Sequence, residues 1–359
     1  MKIVHSMLAA AATAVLVLVP VAKASPGDWL DEFLDCRDAC EYRRSCANSD
    51  THHVSEQNPF WSFPFQETPG VYRLLLWDCV ADCDHQCQQA VTQMRIAADQ
   101  EVYQFHGKWP FKRMLGVQEL FSTLFSIGNF VPQYRGFRLL LRERNAVPPH
   151  LKSRLILDKY TYVAVAGMLA WLSSTVFHLR DLLVTEKLDY FFAGATVLAG
   201  FHAILVRIAR LDKSDLLRHA FSTIVALTFS AHILRLYLDW SYTYNMRFNV
   251  FFGVLQYVLL LLLSLQNYRA IKGQKHRPRS RSRYATTPRL VWDLCAVPVL
   301  LVVGTSLAMT CELFDFFSYR WQIDSHAIWH VCTIVPSWIL YDFFLRDFRH
   351  LVASETALE

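Results

Sequence analysis

Seven long apolar stretches occupy most of the chain after residue 112, and they restrict the possible folds more than any other feature. Each is about as long as an α-helix that crosses a bilayer, where every backbone polar group must be bonded internally. A soluble protein with seven buried helices is the alternative. The short charged connections and the run Phe251–Leu265, broken only by Gln256 and Ser264, argue against it. We place the spans at 114–133, 160–180, 188–208, 217–238, 249–267, 290–312 and 326–345.

The N-terminus is typical of a secretory signal peptide. A charged start at Met1-Lys2 leads into an apolar run through Val19, and small residues follow in the order Ala22-Lys23-Ala24. An uncleaved membrane helix is the alternative, but the run is short and ends at Pro20. We therefore expect a signal peptide at 1–24, a lumenal cysteine-rich domain at 25–112, an all-α bundle of seven transmembrane helices at 113–346 and a cytosolic tail at 347–359.

Six of the nine cysteines lie in the segment behind this signal peptide. An even set of cysteines in a small secreted domain predicts disulfides, because such a domain buries too little apolar surface to be stable without cross-links. Spacings of four residues place the cysteines of each group on one helix face, so two helices form a stapled hairpin. A zinc site that uses these thiols with His85 or the pair His52-His53 is the alternative. Among fifteen possible pairings, antiparallel helices favour the nested set Cys36–Cys87, Cys40–Cys83 and Cys46–Cys79.

The distribution of positive charge predicts the orientation. Nineteen Lys and Arg residues lie in the connections 135–159, 207–218 and 269–289, whereas the alternate connections carry only five. By the positive-inside rule the first set is cytosolic, so residues near Ser280 face the cytosol and Thr243 and Ser325 face the lumen. The Arg-Ser stretch Arg277–Arg283 then predicts a cytosolic loop next to anionic headgroups, and no nucleic-acid partner.

Ionisable side chains in membrane helices are costly and usually functional. Five polar residues fall at the predicted lumenal side: His178 with Ser174 one turn earlier, Asp189, and the one-turn pair His326 and His330. Three imidazoles at one depth suit a zinc ion, with a fourth position open for a water whose pKa the metal lowers. Asp189 would accept the proton of that water, and Ser174 would bond a ligand or stabilise an oxyanion.

A less specific interpretation of these residues stays open. Two histidines one turn apart are more often a polar interhelical contact than a metal pair. Lone helical histidines, interpreted as packing residues, are His202, His219 and His232. Asp181, Glu312 and Asp315 also lie near the lumenal edge, and we interpret them as salt-bridged loop acids, ranked below Asp189.

Several longer motifs carry a family resemblance. The pattern Ser174-x3-His178, then Asp189, then His326-x3-His330 resembles the CREST membrane hydrolases, which are seven-helix proteins with a three-histidine zinc site. Further motifs are similar to one branch of that group, the GPI-anchor lipid-remodelling family. They are Cys36-x3-Cys40, Gln104–Phe111 (QFHGKWPF), Ser174–Asp181 (STVFHLRD), Thr185–Phe191 (TEKLDYF) and Asp324–His330 (DSHAIWH).

The resemblance implies a GPI-specific phospholipase A2 that removes the sn-2 acyl chain from the inositol phospholipid of GPI-anchored proteins. It implies zinc ligands at His178, His326 and His330, and catalytic roles for Asp189 and Ser174. It also implies a membrane of the endoplasmic reticulum or Golgi, with the site facing the lumen. A ceramidase-like membrane amidase and a non-enzymatic receptor with a structural zinc are the alternatives. The cysteine hairpin and the QFHGKWPF motif disfavour the amidase, because they belong to the GPI branch.

Overall fold

The structure, a computed structural model, describes residues 25–47, 54–274, 287–314 and 318–356. Four features interpreted from the sequence lie outside these ranges: the signal peptide at 1–24, the pair His52-His53, the stretch Arg277–Arg283 with Ser280, and Asp315.

The first part of the chain, residues 25–112, is called the disulfide domain below, and its described residues form three α-helices and a short 3-10 helix, Pro26–Trp29. Its helices are α1 (Asp31–Arg43), α2 (Gly70–Arg73) and α3 (Cys79–Ala97). The side chain of Asp78 accepts a hydrogen bond from the Ala81 amide and so caps the start of α3. α1 and α3 pack together, and the nested pairing is confirmed, with disulfides Cys36–Cys87, Cys40–Cys83 and Cys46–Cys79. All six cysteines are paired in disulfides, so none of them has a free thiol to bind zinc.

The described residues after 112 are mostly helical. Their elements are α4 (Leu120–Ala146), α5 (Arg154–Leu179), α6 (Leu183–Ile208), α7 (Asp215–Leu238), α8 (Tyr242–Gln274), α9 (Thr287–Val291), a π-helical turn (Trp292–Ala296), α10 (Val297–Phe314), strands β1 (Ser318–Tyr319) and β2 (Ile323–Asp324), and α11 (Ser325–Thr356). The strands form one antiparallel hairpin between α10 and α11. The all-α fold is therefore confirmed.

Six segments of the described chain are long and apolar enough to cross a membrane: α5, α6, α7, Tyr242–Gly273 of α8, Pro288–Phe314, and Ser325–Glu355 of α11. The protein is a multi-pass membrane protein. α4 packs against α5 and α11 as a seventh long helix, but it is not one of these six. The structure also shifts the predicted first span, because α4 begins at Leu120 rather than at 114. Residues 114–117 form a tight turn with positive φ at Leu115 and Gly116, which ends any helix there.

The helices of the bundle are held together at the end far from the disulfide domain. Tyr160 of α5 stacks on Phe344 of α11 with ring centroids 4.0 Å apart. Next to them the Arg207 guanidinium donates two hydrogen bonds to the Asp347 carboxylate, which also accepts one from Asn267. Because both ions are buried and fully paired, this contact ties α6, α8 and α11 together without leaving a bare charge in the membrane.

α7 is the peripheral helix. Its main packing partner is α6, and only 11% of its membrane-spanning window is buried inside the protein. Ser214 caps its first turn by accepting a hydrogen bond from the Leu217 amide. Near its other end the His232 ring stacks on Phe248 of α8 at 3.7 Å. Most of the α7 surface therefore faces outward.

Candidate metal centre

Three histidines meet at the end of the bundle next to the disulfide domain. His178 lies in the last turn of α5, while His326 and His330 lie one turn apart at the start of α11. One ring nitrogen from each histidine lies within 4.8 Å of the others. His178 and His330 are buried, and His326 retains about a third of its side-chain exposure. The structure thus brings together all three predicted ligands from two helices that are far apart in sequence.

Each of the three imidazoles is fixed through its Nδ1 atom by a different partner. Glu119 Oε2 lies 2.8 Å from Nδ1 of His178, and Glu312 Oε2 lies 2.5 Å from Nδ1 of His326. Ser126 Oγ lies 3.0 Å from Nδ1 of His330.

The Nδ1 contacts leave the Nε2 atoms available, and those of His178 and His326 are 3.3 Å apart. Neutral imidazoles with Nδ1 held by a carboxylate or hydroxyl are the usual form of histidine ligands to zinc. The donor set therefore fits a metal ion held by one ring nitrogen from each of the three histidines.

Ser174 lies close to the histidines without touching them directly. Its hydroxyl is 3.0 Å from the hydroxyl of Ser126, the residue that contacts His330. Ser126 also donates to the Ser122 carbonyl, so Ser126 connects α4 to both α5 and α11. The position of Ser174 favours a role in orienting His330 through Ser126.

Asp189 lies in the second turn of α6 and is partly buried. Within the described part of the chain its carboxylate has neither a hydrogen bond nor an ion pair. It is close enough to His326, Lys108, Glu312 and Glu119 to interact with them electrostatically. Its two oxygens are therefore available to bind a group that enters the site.

The Glu119 carboxylate is bonded on both sides. Lys108 Nζ lies 2.5 Å from its Oε1 atom, and the same ammonium lies 2.9 Å from Asp181 Oδ2. Burial by itself would raise the pKa of Glu119, but the neighbouring Lys108 and His178 hold it well below its usual range. Burial likewise favours a lower pKa for Lys108, but Glu119 and Asp181 raise it. The carboxylate beside His178 is thus ionised and the ammonium is retained.

Three of the residues that fix the histidines were missed or misread in the sequence. Glu312 is ion-paired, as interpreted, but it lies in α10 rather than in a loop, and its partner is His326. Neither Glu119 nor Ser126 is among the site residues predicted from the sequence. For Glu119 there was a usable signal, since an acid at the edge of an apolar stretch needs a buried partner.

Other histidines and acids considered in the sequence make hydrogen bonds or ion pairs outside the three-histidine cluster. His202 contacts the Ser222 hydroxyl of α7 at 3.0 Å, and His219 bonds the Asp215 carbonyl one turn back. Asp181 is salt-bridged to Lys108, as its interpretation as a paired acid predicted.

Comparison with known proteins places the chain in a family. The sequence profile of the Per1-like family matches residues 69–348. The chain belongs to the Per1-like family. The matched range includes the histidines, Asp189, Ser174, Glu119 and Lys108. No solved structure matches the chain.

Curated Per1-like relatives align over nearly their whole length. The Saccharomyces cerevisiae protein named Protein PER1 is 54% identical over 351 residues, which are 96% of this chain and 98% of that protein. The Schizosaccharomyces pombe protein named Protein PER1 homolog is 34% identical and covers 90% and 87%. A Xenopus tropicalis protein named GPI-specific phospholipase A2-like PGAP3 is 31% identical and covers 94% and 95%.

Proposed function

We propose that this Per1-like protein is a zinc-dependent hydrolase that removes the sn-2 acyl chain from the inositol phospholipid of GPI-anchored proteins. The observation that carries the proposal is the set of three imidazoles held at Nδ1, with the Nε2 atoms of His178 and His326 facing each other. The reaction adds water across the ester, breaks the acyl carbon–oxygen bond and yields a free fatty acid and a lyso-lipid.

The relatives supply the substrate class. Several vertebrate relatives that align over more than nine-tenths of this chain carry the name GPI-specific phospholipase A2-like. Remodelling of GPI lipids is therefore the activity that the family membership supports. The finer assignments, namely zinc and the sn-2 position, rest on the histidine geometry and the motif resemblance.

The chain's residues divide the chemical work. His178, His326 and His330 hold the zinc ion, which supplies Lewis acidity for an ester carbonyl and lowers the pKa of a water. Asp189 has unpaired oxygens and accepts a proton from the attacking water. Ser174 and Ser126 hold His330 in orientation, and the Ser174 hydroxyl would stabilise charge on a carbonyl oxygen.

The position of the site suits a lipid ester. The histidines lie at the ends of membrane helices, beside the disulfide domain, which is the depth at which the ester groups of a phospholipid lie below the headgroups. Disulfides form in oxidising compartments, so this end of the bundle faces the lumen of the endoplasmic reticulum or Golgi. GPI-anchored proteins occur on that side of the membrane.

Lipid analysis of a purified reaction tests the proposal. The full chain in liposomes is incubated with a GPI-anchored protein, and lyso-lipid and fatty acid are measured by mass spectrometry. We expect release by the wild type, loss with His330→Ala or zinc chelation, and recovery on adding zinc. His202→Ala is the control and should keep both metal and activity. Release by a folded His330→Ala protein contradicts the proposal; hydrolysis of ceramide instead supports the amidase, and bound zinc without any hydrolysis supports the receptor.

A further inference from the structure

We propose that the disulfide domain sets the metal affinity of the membrane site, and that Lys108 is the positioning residue that does so by acting through Glu119 on His178. The inference rests on the metal site of the proposed function. It concerns a residue outside the bundle whose ammonium contacts Glu119, Asp181 and the Phe177 ring, none of which is a proposed metal ligand.

Lys108 belongs to a tight turn. The backbone groups of Phe105 and Lys108 bond each other in both directions, at 2.8 and 2.9 Å. His106 and Gly107 between them have φ angles of 50° and 78°, the left-handed geometry of a two-residue hairpin turn. This geometry fixes the direction in which Lys108 leaves the turn.

Other parts of the disulfide domain anchor this turn at three successive residues. The Phe105 ring packs on Phe33 of α1 with centroids 4.7 Å apart, inside the same apolar cluster as the disulfides. His106 Nε2 lies 3.0 Å from the carboxylate of Asp84, the residue after Cys83 in α3. The Gly107 amide donates to the Ser25 hydroxyl at 2.7 Å. The turn therefore moves with the domain.

From this anchored turn Lys108 reaches the bundle. Its ammonium contacts Glu119 and Asp181 and lies 3.8 Å from the centroid of the Phe177 ring, the residue before His178. Glu119 in turn contacts Nδ1 of His178. The contacts Lys108–Glu119 and Glu119–His178 thus connect the disulfide domain to the imidazole of a proposed metal ligand.

The charge balance makes Lys108 necessary for this geometry. The Glu119 side chain is only 3% exposed, and a buried carboxylate without a compensating charge is strongly destabilised. Lys108 neutralises it and holds one oxygen, which aims the other at His178. Without the ammonium the carboxylate turns toward solvent, and the imidazole loses the partner that orients Nε2.

Metal titration of the purified full chain tests the inference. Zinc Kd is measured by competition with a chromophoric chelator for Lys108→Met and for the matched control Lys112→Met. Lys112 lies four residues on in the same segment, is exposed, and has no side-chain partner among the described residues. We expect Lys108→Met to raise Kd about ten- to a hundredfold, as for loss of a group that orients a ligand, and Lys112→Met to leave it unchanged. Equal Kd values for the two variants overturn the inference.

A double-mutant cycle isolates the route through Glu119. If Lys108 acts only through that carboxylate, Lys108→Met added to Glu119→Gln should change Kd no further than Glu119→Gln alone. Additive losses would show that Lys108 acts elsewhere. The double variant also removes both buried charges together, so it keeps the test valid if Lys108→Met alone does not fold. Lys108→Arg, which retains the charge, should recover part of the affinity.

The outcomes separate this inference from the proposed function. If the wild type binds zinc and Lys108→Met binds it with the same Kd, the inference about Lys108 is wrong, but the proposed hydrolase activity is unaffected. If the wild type binds no zinc, both the role of Lys108 and the zinc-dependent hydrolase are contradicted.

Discussion

Glu312 and His326 meet across the contact between α10 and α11, with Oε2 of the acid 2.5 Å from Nδ1 of the imidazole. His326 is the most exposed of the three histidines, with 30% of its side chain accessible. The rings of His178, Trp329 and His330 also lie beside it, but Glu312 is the partner of its Nδ1 atom, so the orientation of the His326 ring depends on this acid.

This dependence predicts the effect of Glu312→Gln. The amide still accepts a hydrogen bond from Nδ1, but it lacks the charge that strengthens the contact, so we expect zinc Kd to rise about tenfold. Chelator competition on the purified protein measures it. Glu143→Gln, which removes an acid paired with Arg349 at the opposite end of α4, is the control and should leave Kd unaltered. An unchanged Kd for Glu312→Gln would mean that the acid does not orient the ligand.

Asp189→Asn should separate chemistry from metal binding. Since Asp189 contacts none of the histidines, zinc content should stay at the wild-type level. Loss of a general base should lower kcat for release of the acyl chain by about two to four orders of magnitude. Metal analysis gives the zinc content, and an assay of acyl-chain release on the same preparation gives kcat. Loss of zinc together with activity would instead identify Asp189 as a ligand.

Ser174→Ala provides the comparison for Asp189→Asn. Because Ser174 reaches His330 only through Ser126, we expect a smaller loss of kcat than with Asp189→Asn. A loss of about a hundredfold or more, with normal zinc content, would assign Ser174 to the oxyanion rather than to orientation.

The buried imidazole of His85 predicts a pH dependence for the disulfide domain. Burial, with a further contribution from Arg113, lowers the pKa of His85 from 6.5 to about 4. Between these values the unfolded chain takes up a proton that the folded domain does not, so stability falls as the pH drops from about 6.5 to about 4. Hydrogen exchange of the α3 amides, corrected for intrinsic rates, measures this. His85→Phe should show a flatter dependence over that window; an identical slope would contradict the assignment.

The charge asymmetry predicts which ends of the helices face the cytosol. Single cysteines at Lys213 and Arg320 suit an impermeant maleimide, because both side chains are exposed; Ser325 is fully buried and does not. In a background without Cys295, Cys311 and Cys332, Lys213→Cys should react in sealed microsomes and Arg320→Cys only after permeabilisation. The reverse labelling would place the histidines on the cytosolic side and contradict the GPI substrate.

The strongest sequence predictions came from regular spacing. Four-residue intervals placed Cys36 with Cys40, and His326 with His330, on single helix faces, and the structure has both arrangements. The nested disulfides follow from two such faces packed antiparallel. The histidine cluster was foreseeable because imidazoles are rare at the ends of membrane spans and alternating helices bring every second connection to one side.

The partners of the histidines could not be predicted in the same way. Glu119 precedes its helix, Ser126 lies on α4 and Glu312 on α10, so their contacts depend on which helices are neighbours and how each is rotated. Lys108 reaches the bundle only because a hairpin turn directs it there. Such contacts come from tertiary packing, which local spacing does not encode. The start of α4 was misplaced for a local reason, since the turn at 114–117 contains apolar residues that extended the apparent span.

The exposed position of α7 means that the surrounding lipid completes the fold. Its outward side chains, such as Ile224, Leu227 and Leu234, are more than half exposed, so acyl chains would surround them in a bilayer. Helix position is then sensitive to how well the apolar length of α7 matches the thickness of the hydrocarbon layer. Thin and thick bilayers should therefore tilt α7 differently against α6. The thickness of the membrane should thus affect the arrangement of α7 and α6 in this protein.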